Sequence, residues 1–154
     1  MMDLVTLGEA LIDLPSTQAG VGLADAPGFA KVVAGAPANV AAAATRLGLS
    51  AAFVTKVGED AFGDAIIQTF AASGVDTSHI VKDPAARTGL AFVAIAADGE
   101  REFLFYFDPA RDLALRVEEL DTEALCAARA FHYGSISLIA PPARGTTLKF
   151  ASLA

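Results

Sequence analysis

The chain has 154 residues, of which 54% are hydrophobic and 19% are charged, and it carries a formal net charge of −7. Its length allows one domain with a substantial core. The acidic charge would repel a phosphate backbone, so we exclude nucleic acid as a partner. Acidic residues at 3, 9 and 13 interrupt the first apolar run. This argues against a signal peptide or a membrane span, and we expect a cytoplasmic protein with no membrane partner.

The apolar fraction is higher, and the charged fraction lower, than typical soluble domains show. Two explanations are open. The strands are buried on both faces, as in a parallel sheet, or part of the surface is normally covered by a partner. Both explanations can hold at once.

Metal and phosphate binding are not indicated by the usual motifs. Cys126 is the only cysteine, which excludes an intramolecular disulfide and a cysteine-based cluster, and we interpret it as a small buried hydrophobe. His79 and His132 are far apart and lack the spacing of metal ligands. Residues 58–64 lack the Lys-Ser/Thr pair of a phosphate loop, so we interpret them as a turn and a helix cap.

Predicted helices alternate with buried strands along the chain. Gly48 and Gly74 stop the first two helices, Asp60 is a candidate N-cap of the second, and Asp98-Gly99 predicts a β-hairpin. In chain order we predict a strand at 4–12, a loop at 15–28, a short strand at 29–33, a helix at 38–47, a strand at 51–57, a helix at 61–73, hairpin strands at 89–96 and 101–107, a helix at 122–128, a strand at 130–133 and a last helix after 141–142. This order predicts an α/β fold with a mainly parallel sheet flanked by helices and an antiparallel hairpin.

A candidate binding segment leads into the first helix. Residues 34–40 read Ala-Gly-Ala-Pro-Ala-Asn-Val. Small residues stand where a backbone can approach a ligand closely, and an amide side chain stands in the first helical turn. This arrangement suits polar hydroxyl groups. An ordinary strand-to-helix turn, in which Asn39 only caps the helix, explains the same residues.

Several longer segments extend this pattern along the chain. They are Gly8-Glu9-Ala10-Leu11-Ile12-Asp13, the stretches at 35–48, 53–63, 74–77, 86–93 and 98–103, and Phe131-His132-Tyr133-Gly134-Ser135-Ile136-Ser137-Leu138. In this order they resemble the N-terminal half of PfkB-type, ribokinase-like sugar kinases, and among these the fructokinases most. The resemblance implies a ribokinase-like fold that is incomplete here. It further implies that residues 1–154 form one partial sugar-kinase domain, with lid strands inserted at about 15–34 and 88–107.

The resemblance also implies a sugar-binding site. It assigns Asp13 as the acceptor for sugar hydroxyls, and Gly35 and Asn39 as further sugar contacts. The lid hairpin closes over the sugar in the family and often pairs between subunits, and Phe92 and Phe107 are its candidate substrate contacts. Many fructokinases and ketodeoxygluconate kinases have an arginine at the position of Phe107, so the sugar stays open.

The reaction centre of the family is expected outside these residues. In the family, the C-terminal half supplies the catalytic base and the residues that bind ATP and Mg²⁺. These residues lie in Gly-Ala-Gly-Asp and Asn-x-x-Glu segments, which this sequence lacks. We therefore expect no catalytic, cofactor-binding or metal-binding residue here, and interpret the chain as a truncated kinase that is inactive alone. Missing strands would uncover a sheet edge, so we expect a homo-oligomer formed through the lid hairpin or that edge.

Two functions stay open on sequence. The first is half of an ATP-dependent fructokinase, and the second is a non-enzymatic sugar-binding or regulatory fragment. Both need the same small-molecule sugar site. Ribose, ketodeoxygluconate and a nucleoside are alternatives to fructose. A dinucleotide-binding oxidoreductase is disfavoured, because the turn at 7–10 lacks the further glycines of that fingerprint.

Overall fold

The computed structural model of the protein describes residues 2–153, apart from the side chains of residues 110 and 111. The strands are β1 (Leu4–Leu7), β2 (Leu11–Pro15), β3 (Val32–Ala34), β4 (Ala51–Gly58), β5 (Ile80–Asp83), β6 (Gly89–Ile95), β7 (Arg101–Tyr106) and β8 (Ala130–Tyr133). The helices are α1 (Ala36–Arg46), α2 (Ala61–Ala72), α3 (Pro109–Asp112), α4 (Thr122–Cys126) and α5 (Ala143–Leu153). Among these described helices, none is long and apolar enough to span a membrane.

Four parallel strands form the main sheet, in the order β5-β4-β1-β8. All of β4 is buried, as expected for a parallel sheet covered on both faces. Alanines of α1 pack against one face together with Ile66 and Phe70 of α2. Leu125 of α4 and Phe150 of α5 pack against the other face. This three-layer arrangement confirms the predicted α/β class.

The other four strands form a second sheet, in the order β3-β2-β6-β7. β2 and β6 run parallel, whereas β3 and β7 are antiparallel to their neighbours. The predicted hairpin is confirmed, since β6 and β7 pair along its whole length. Gly99 in the hairpin turn has φ +87°, a conformation that glycine adopts at little cost.

The single strand predicted at 4–12 was wrong. The chain breaks at Gly8, which has φ +155°, so that β1 lies in the main sheet and β2 in the second sheet. Residues on both sides of the break are buried, which makes the two strands read as one apolar run. The short strand predicted at 29–33 lies later, at β3, and Phe29 makes only an isolated bridge to Ser16. β5 was not predicted.

The high apolar content of the chain has two sources. The main sheet buries its strands, whereas all six residues of β7 are exposed, among them Phe103, Phe105 and Tyr106. The rings of Phe103 and Phe105 stack with centroids 5.8 Å apart. Tyr133, on the edge strand β8, is also exposed. Exposed aromatic surface is therefore concentrated on β7, with a further exposed ring on β8.

A buried lysine ties β4 to β5 and to the segment before α4. The Lys56 side chain is only 3% exposed, and its ammonium lies 3.3 Å from a carboxylate oxygen of Asp83 and 2.6 Å from one of Glu119. The two acidic side chains are more exposed than the lysine. On the neighbouring strand, Lys82 forms a much more exposed pair with Asp64. The buried charge of Lys56 is therefore compensated inside the fold.

We expect Lys56→Met to destabilise the protein by about 3 kcal/mol, because two partly buried carboxylates lose their cation. Urea unfolding followed by circular dichroism measures the free energy of unfolding. Lys82→Met is the matched control, since it removes an exposed pair and should change stability little. Equal losses in the two variants would contradict a special contribution from the buried lysine.

Candidate functional site

The carboxyl ends of β1 and β8 lie at the same edge of the main sheet, where α/β proteins commonly bind ligands. Gly8 follows β1 and Gly134 follows β8, and the Gly134 N–H donates to the Leu7 carbonyl at 2.9 Å. The start of α1 reaches this edge too. A Cβ built on Gly8 or Gly134 would lie 2.6 Å or 3.2 Å from the ring of Pro37. A ligand at this edge would therefore meet the first turn of α1.

Gly35 is the N-cap of α1 and has φ +138°, a conformation that favours glycine. A Cβ at this position would overlap the carbonyl oxygen of Glu9. Asn39 lies one turn into the helix, where its N–H donates to the Gly35 carbonyl at 2.8 Å, and the residue is exposed. Asn39 is therefore not the cap of this helix. The structure brings Gly35 and Asn39 together at the start of α1.

Asp13 lies within β2, in the second sheet, whereas the first strand was predicted to end at residue 12. The residue is half-buried, and burial raises the pKa of its carboxyl. Among the described residues, none donates a hydrogen bond to this carboxyl. Asp13 thus presents a partly dehydrated acceptor that is open to solvent or to a ligand.

The pairing of β2 with β3 relates Asp13 to Gly35. Leu11 on β2 pairs with Ala34, the residue before Gly35. Asp13 is two residues further along β2, about 7 Å, and its side chain lies on the same sheet face as that of Leu11. Asp13 itself pairs with Val32, three residues before Gly35, so the two residues are separated by about 10 Å along the strands.

Phe92 and Phe107 lie together at a cleft of about 500 Å³ beside the second sheet. Phe92 follows Ala91, which pairs with Asp13, so the side chain of Phe92 lies on the sheet face opposite to that of Asp13. The ring of Phe107 packs against Gly89, where a Cβ would come 2.5 Å from it. The structure therefore groups the two phenylalanines but does not bring Phe92 to Asp13. The cleft is also lined by Arg87, Thr88, Leu90, Tyr106, Asp108 and Asp112.

Glu9 is the residue of this region that the sequence reasoning missed. Its side chain is buried between β1 and the start of α1, and its Oε1 accepts a hydrogen bond from the Ala36 N–H at 3.2 Å. Burial raises the pKa of Glu9, and the hydrogen bonds from backbone N–H groups and the charge of His132 only partly oppose this. An acidic residue inside a run predicted to be buried was the available signal.

Asp60 shows the opposite behaviour, as a carboxyl satisfied by the fold. It caps α2 by accepting from the N–H groups of Phe62 and Gly63, and it also accepts from the Thr88 N–H at 3.0 Å. Burial alone would raise the pKa of Asp60, but the hydrogen bonds from Thr88, Gly63 and Phe62 together lower it. The predicted turn and helix cap at 58–64 are confirmed.

Comparison with known proteins relates the chain to sugar kinases. A family model described as pfkB family carbohydrate kinase matches residues 1–154. The chain is 52% identical to Fructokinase-1 of Zea mays and 50% identical to a fructokinase of Solanum tuberosum, with 98% of this chain covered in each case. The match covers 47% of either relative, so the chain spans about half the length of these curated relatives.

Solved structures show the same fold. The chain superposes on a fructokinase from Xylella fastidiosa with a TM-score of 0.88 at 40% identity, over 100% of this chain and 49% of that chain. A fructokinase from Halothermothrix orenii also gives a TM-score of 0.88, at 29% identity, over 99% of this chain and 53% of that chain. The ribokinase-like class is confirmed, and the chain covers about half of each of these structures.

The raised pKa of Asp13 has a consequence for stability. Ionisation of Asp13 costs folding free energy, and this cost is absent at low pH and complete once the pH exceeds the raised pKa. We therefore expect Asp13→Asn to raise the free energy of unfolding at neutral pH, with a gain that shrinks as the pH falls toward about 4. Urea unfolding of both proteins between neutral pH and about pH 4 measures the difference in free energy of unfolding. Asp25→Asn, at an exposed position, should change little, and a loss of stability in Asp13→Asn at neutral pH would contradict the prediction.

Proposed function

The chain belongs to the pfkB family of carbohydrate kinases, and on that basis we propose that it is the sugar-binding half of an ATP-dependent sugar kinase. The observation that carries this proposal is the half-buried carboxyl of Asp13, for which the described chain offers no hydrogen-bond donor. A half-buried carboxylate with free lone pairs is suited to accept hydrogen bonds from sugar hydroxyls.

Three residues receive roles in this proposal. Asp13 accepts hydrogen bonds from sugar hydroxyls. Gly35, which has no side chain, lets the sugar approach the backbone. Asn39 both donates and accepts through its amide. We assign Phe107 to the apolar wall over the sugar, and Phe92 to the other face of the second sheet, where it supports the wall by packing with Tyr106.

Fructose is the sugar that the comparisons favour, because relatives that are 50–52% identical to this chain are named fructokinases. Ribose, ketodeoxygluconate and a nucleoside are the alternatives. The wall residue Phe107 does not decide this choice. Many fructokinases and ketodeoxygluconate kinases alike have an arginine at this position, so its replacement by an apolar ring leaves both sugars open.

The parent reaction transfers the γ-phosphoryl group of ATP to a sugar hydroxyl. That step needs a base to take the hydroxyl proton, donors for the phosphates and Mg²⁺. A Xylella fastidiosa fructokinase structure with bound ATP, 38% identical to this chain with a TM-score of 0.85, supports ATP as the donor in the family. Within the described residues no cluster of acidic, histidine or cysteine side chains could hold a metal ion. We propose that this chain holds the sugar in the cytoplasm and does not phosphorylate it alone; the alternative is a non-enzymatic sugar-binding or regulatory fragment.

The first test titrates the 154-residue chain with fructose, ribose and ATP by calorimetry and runs a coupled kinase assay on the same sample. We expect fructose to bind, ATP not to bind and no turnover. Asp13→Asn should weaken fructose binding at least about tenfold, since hydrogen bonds to a charged group are lost. Asp25→Asn is the control. Turnover with ATP would place catalytic machinery in this chain, and absence of sugar binding would contradict the proposal.

The exposed aromatic surface of β7 suggests how copies of the chain associate. We propose a homo-oligomer formed through β7 or through the edge strand β8. Sedimentation velocity of the wild-type chain should show a species larger than a monomer, and Phe105→Ser or Tyr133→Ser should shift it to a monomer, depending on which surface is used. Leu47→Ser removes an exposed leucine elsewhere and is the control. A monodisperse wild-type monomer would contradict the association.

A further inference from the structure

Glu9 is a buried acidic residue to which the proposed sugar site gives no role. It lies between β1 and β2 and is 4% exposed. Its Oε1 accepts from the N–H of Ala36, the first residue of α1. A side chain from another segment, 27 residues earlier, therefore holds the start of this helix.

α1 lacks a side-chain cap of its own. Gly35 at the N-cap has no side chain, the first turn contains no acidic residue, and Pro37 has no N–H to satisfy. Free N–H groups at a helix start need an acceptor and favour negative charge. Among the described residues, Glu9 supplies the one side-chain acceptor recorded for the first residue of α1. The carboxyl thus takes the place of a local cap.

The backbone of two glycines lies directly against Glu9. A Cβ on Gly35 would overlap the Glu9 carbonyl oxygen, and a Cβ on Gly134 would come 2.8 Å from Oε2. Interiors packed this closely transmit small changes in volume to their neighbours. The position of Glu9 is therefore coupled to the conformation of Gly35, which has φ +138°.

The placement of Glu9 is energetically expensive. Oε2 is buried and has no hydrogen-bond partner in the described part of the chain. An unsatisfied buried polar atom costs free energy and calls for an explanation. The other carboxylate oxygen, Oε1, offsets part of this cost by accepting the hydrogen bond from the Ala36 N–H.

We propose that Glu9 is a positioning residue of the sugar site, whose carboxyl holds the Ala36 N–H and thereby fixes Gly35 and Asn39 in the geometry that receives the sugar hydroxyls. This inference rests on the proposed sugar-binding function. Glu9 acts through those two residues, because its own carboxyl is closed to a ligand by burial. It therefore adds a residue to the site that does not contact the sugar.

The test compares Glu9→Gln, Glu9→Leu and Leu125→Ala in the full 154-residue chain. Glutamine keeps an oxygen for the Ala36 N–H, and leucine removes it. Leu125 is a buried residue on the opposite face of the main sheet, so its truncation lowers stability without reaching the site. Fructose affinity is measured by calorimetry, the exchange rates of the Ala36 and Asn39 amides by nuclear magnetic resonance, and stability by thermal unfolding.

We expect Glu9→Leu to weaken fructose binding about tenfold and to speed exchange of the Ala36 amide by about the same factor, while Glu9→Gln keeps most of both. Leu125→Ala should lower the unfolding temperature and leave fructose affinity unchanged. Unchanged affinity in Glu9→Leu, or an equal loss in Leu125→Ala, overturns the positioning role. If the wild-type chain binds no fructose, the sugar-binding proposal fails separately. The Ala36 exchange rates then decide alone: unchanged exchange in Glu9→Leu overturns the inference, and faster exchange rescued by glutamine supports it.

Discussion

The chain passes from one sheet to another within three residues, and the rest of the molecule is arranged around that passage. β1 is an interior strand of the main sheet, and β2 is an interior strand of the second sheet. Gly8 makes the change of direction possible with φ +155°. Because the start of α1 packs against Gly8 and Glu9, both sheets and this helix share one set of contacts. The proposed sugar contacts Gly35 and Asn39 are built on that shared region.

Local sequence signals predicted most of the helices and strands. The features that they missed depend on contacts between residues far apart in the sequence. The cap at Asp60 and the Asp-Gly turn depend on neighbouring residues, and both are as expected. The break at Gly8 was hidden because burial continues across it. The opposite facing of Asp13 and Phe92 follows from strand register, which the sequence does not reveal. Likewise, the bond from Glu9 to Ala36 joins residues far apart in the sequence.

Three carboxyl groups illustrate how the fold separates structural acids from candidate functional ones. Asp60 receives three backbone N–H bonds, and its pKa is lowered. Asp13 and Glu9 have raised pKa values because burial is not balanced by donors. Imbalance of this kind is common at binding and active sites, where an acceptor is held ready for a ligand or for a mobile segment. In the sequence, the position of Asp60 before an apolar helix marks it as a cap, whereas the burial that raises the pKa of Asp13 and of Glu9 follows from the fold.

The exposed strand β7 contributes little to the buried core of the protein. All six of its residues are exposed, so substitutions there alter little of the buried core. Phe107, directly after this strand, packs against Gly89. At the proposed sugar wall and the proposed subunit contact, single substitutions can therefore change what is bound while the folded state persists. A family built on this plan can diversify among sugars without first acquiring a new core.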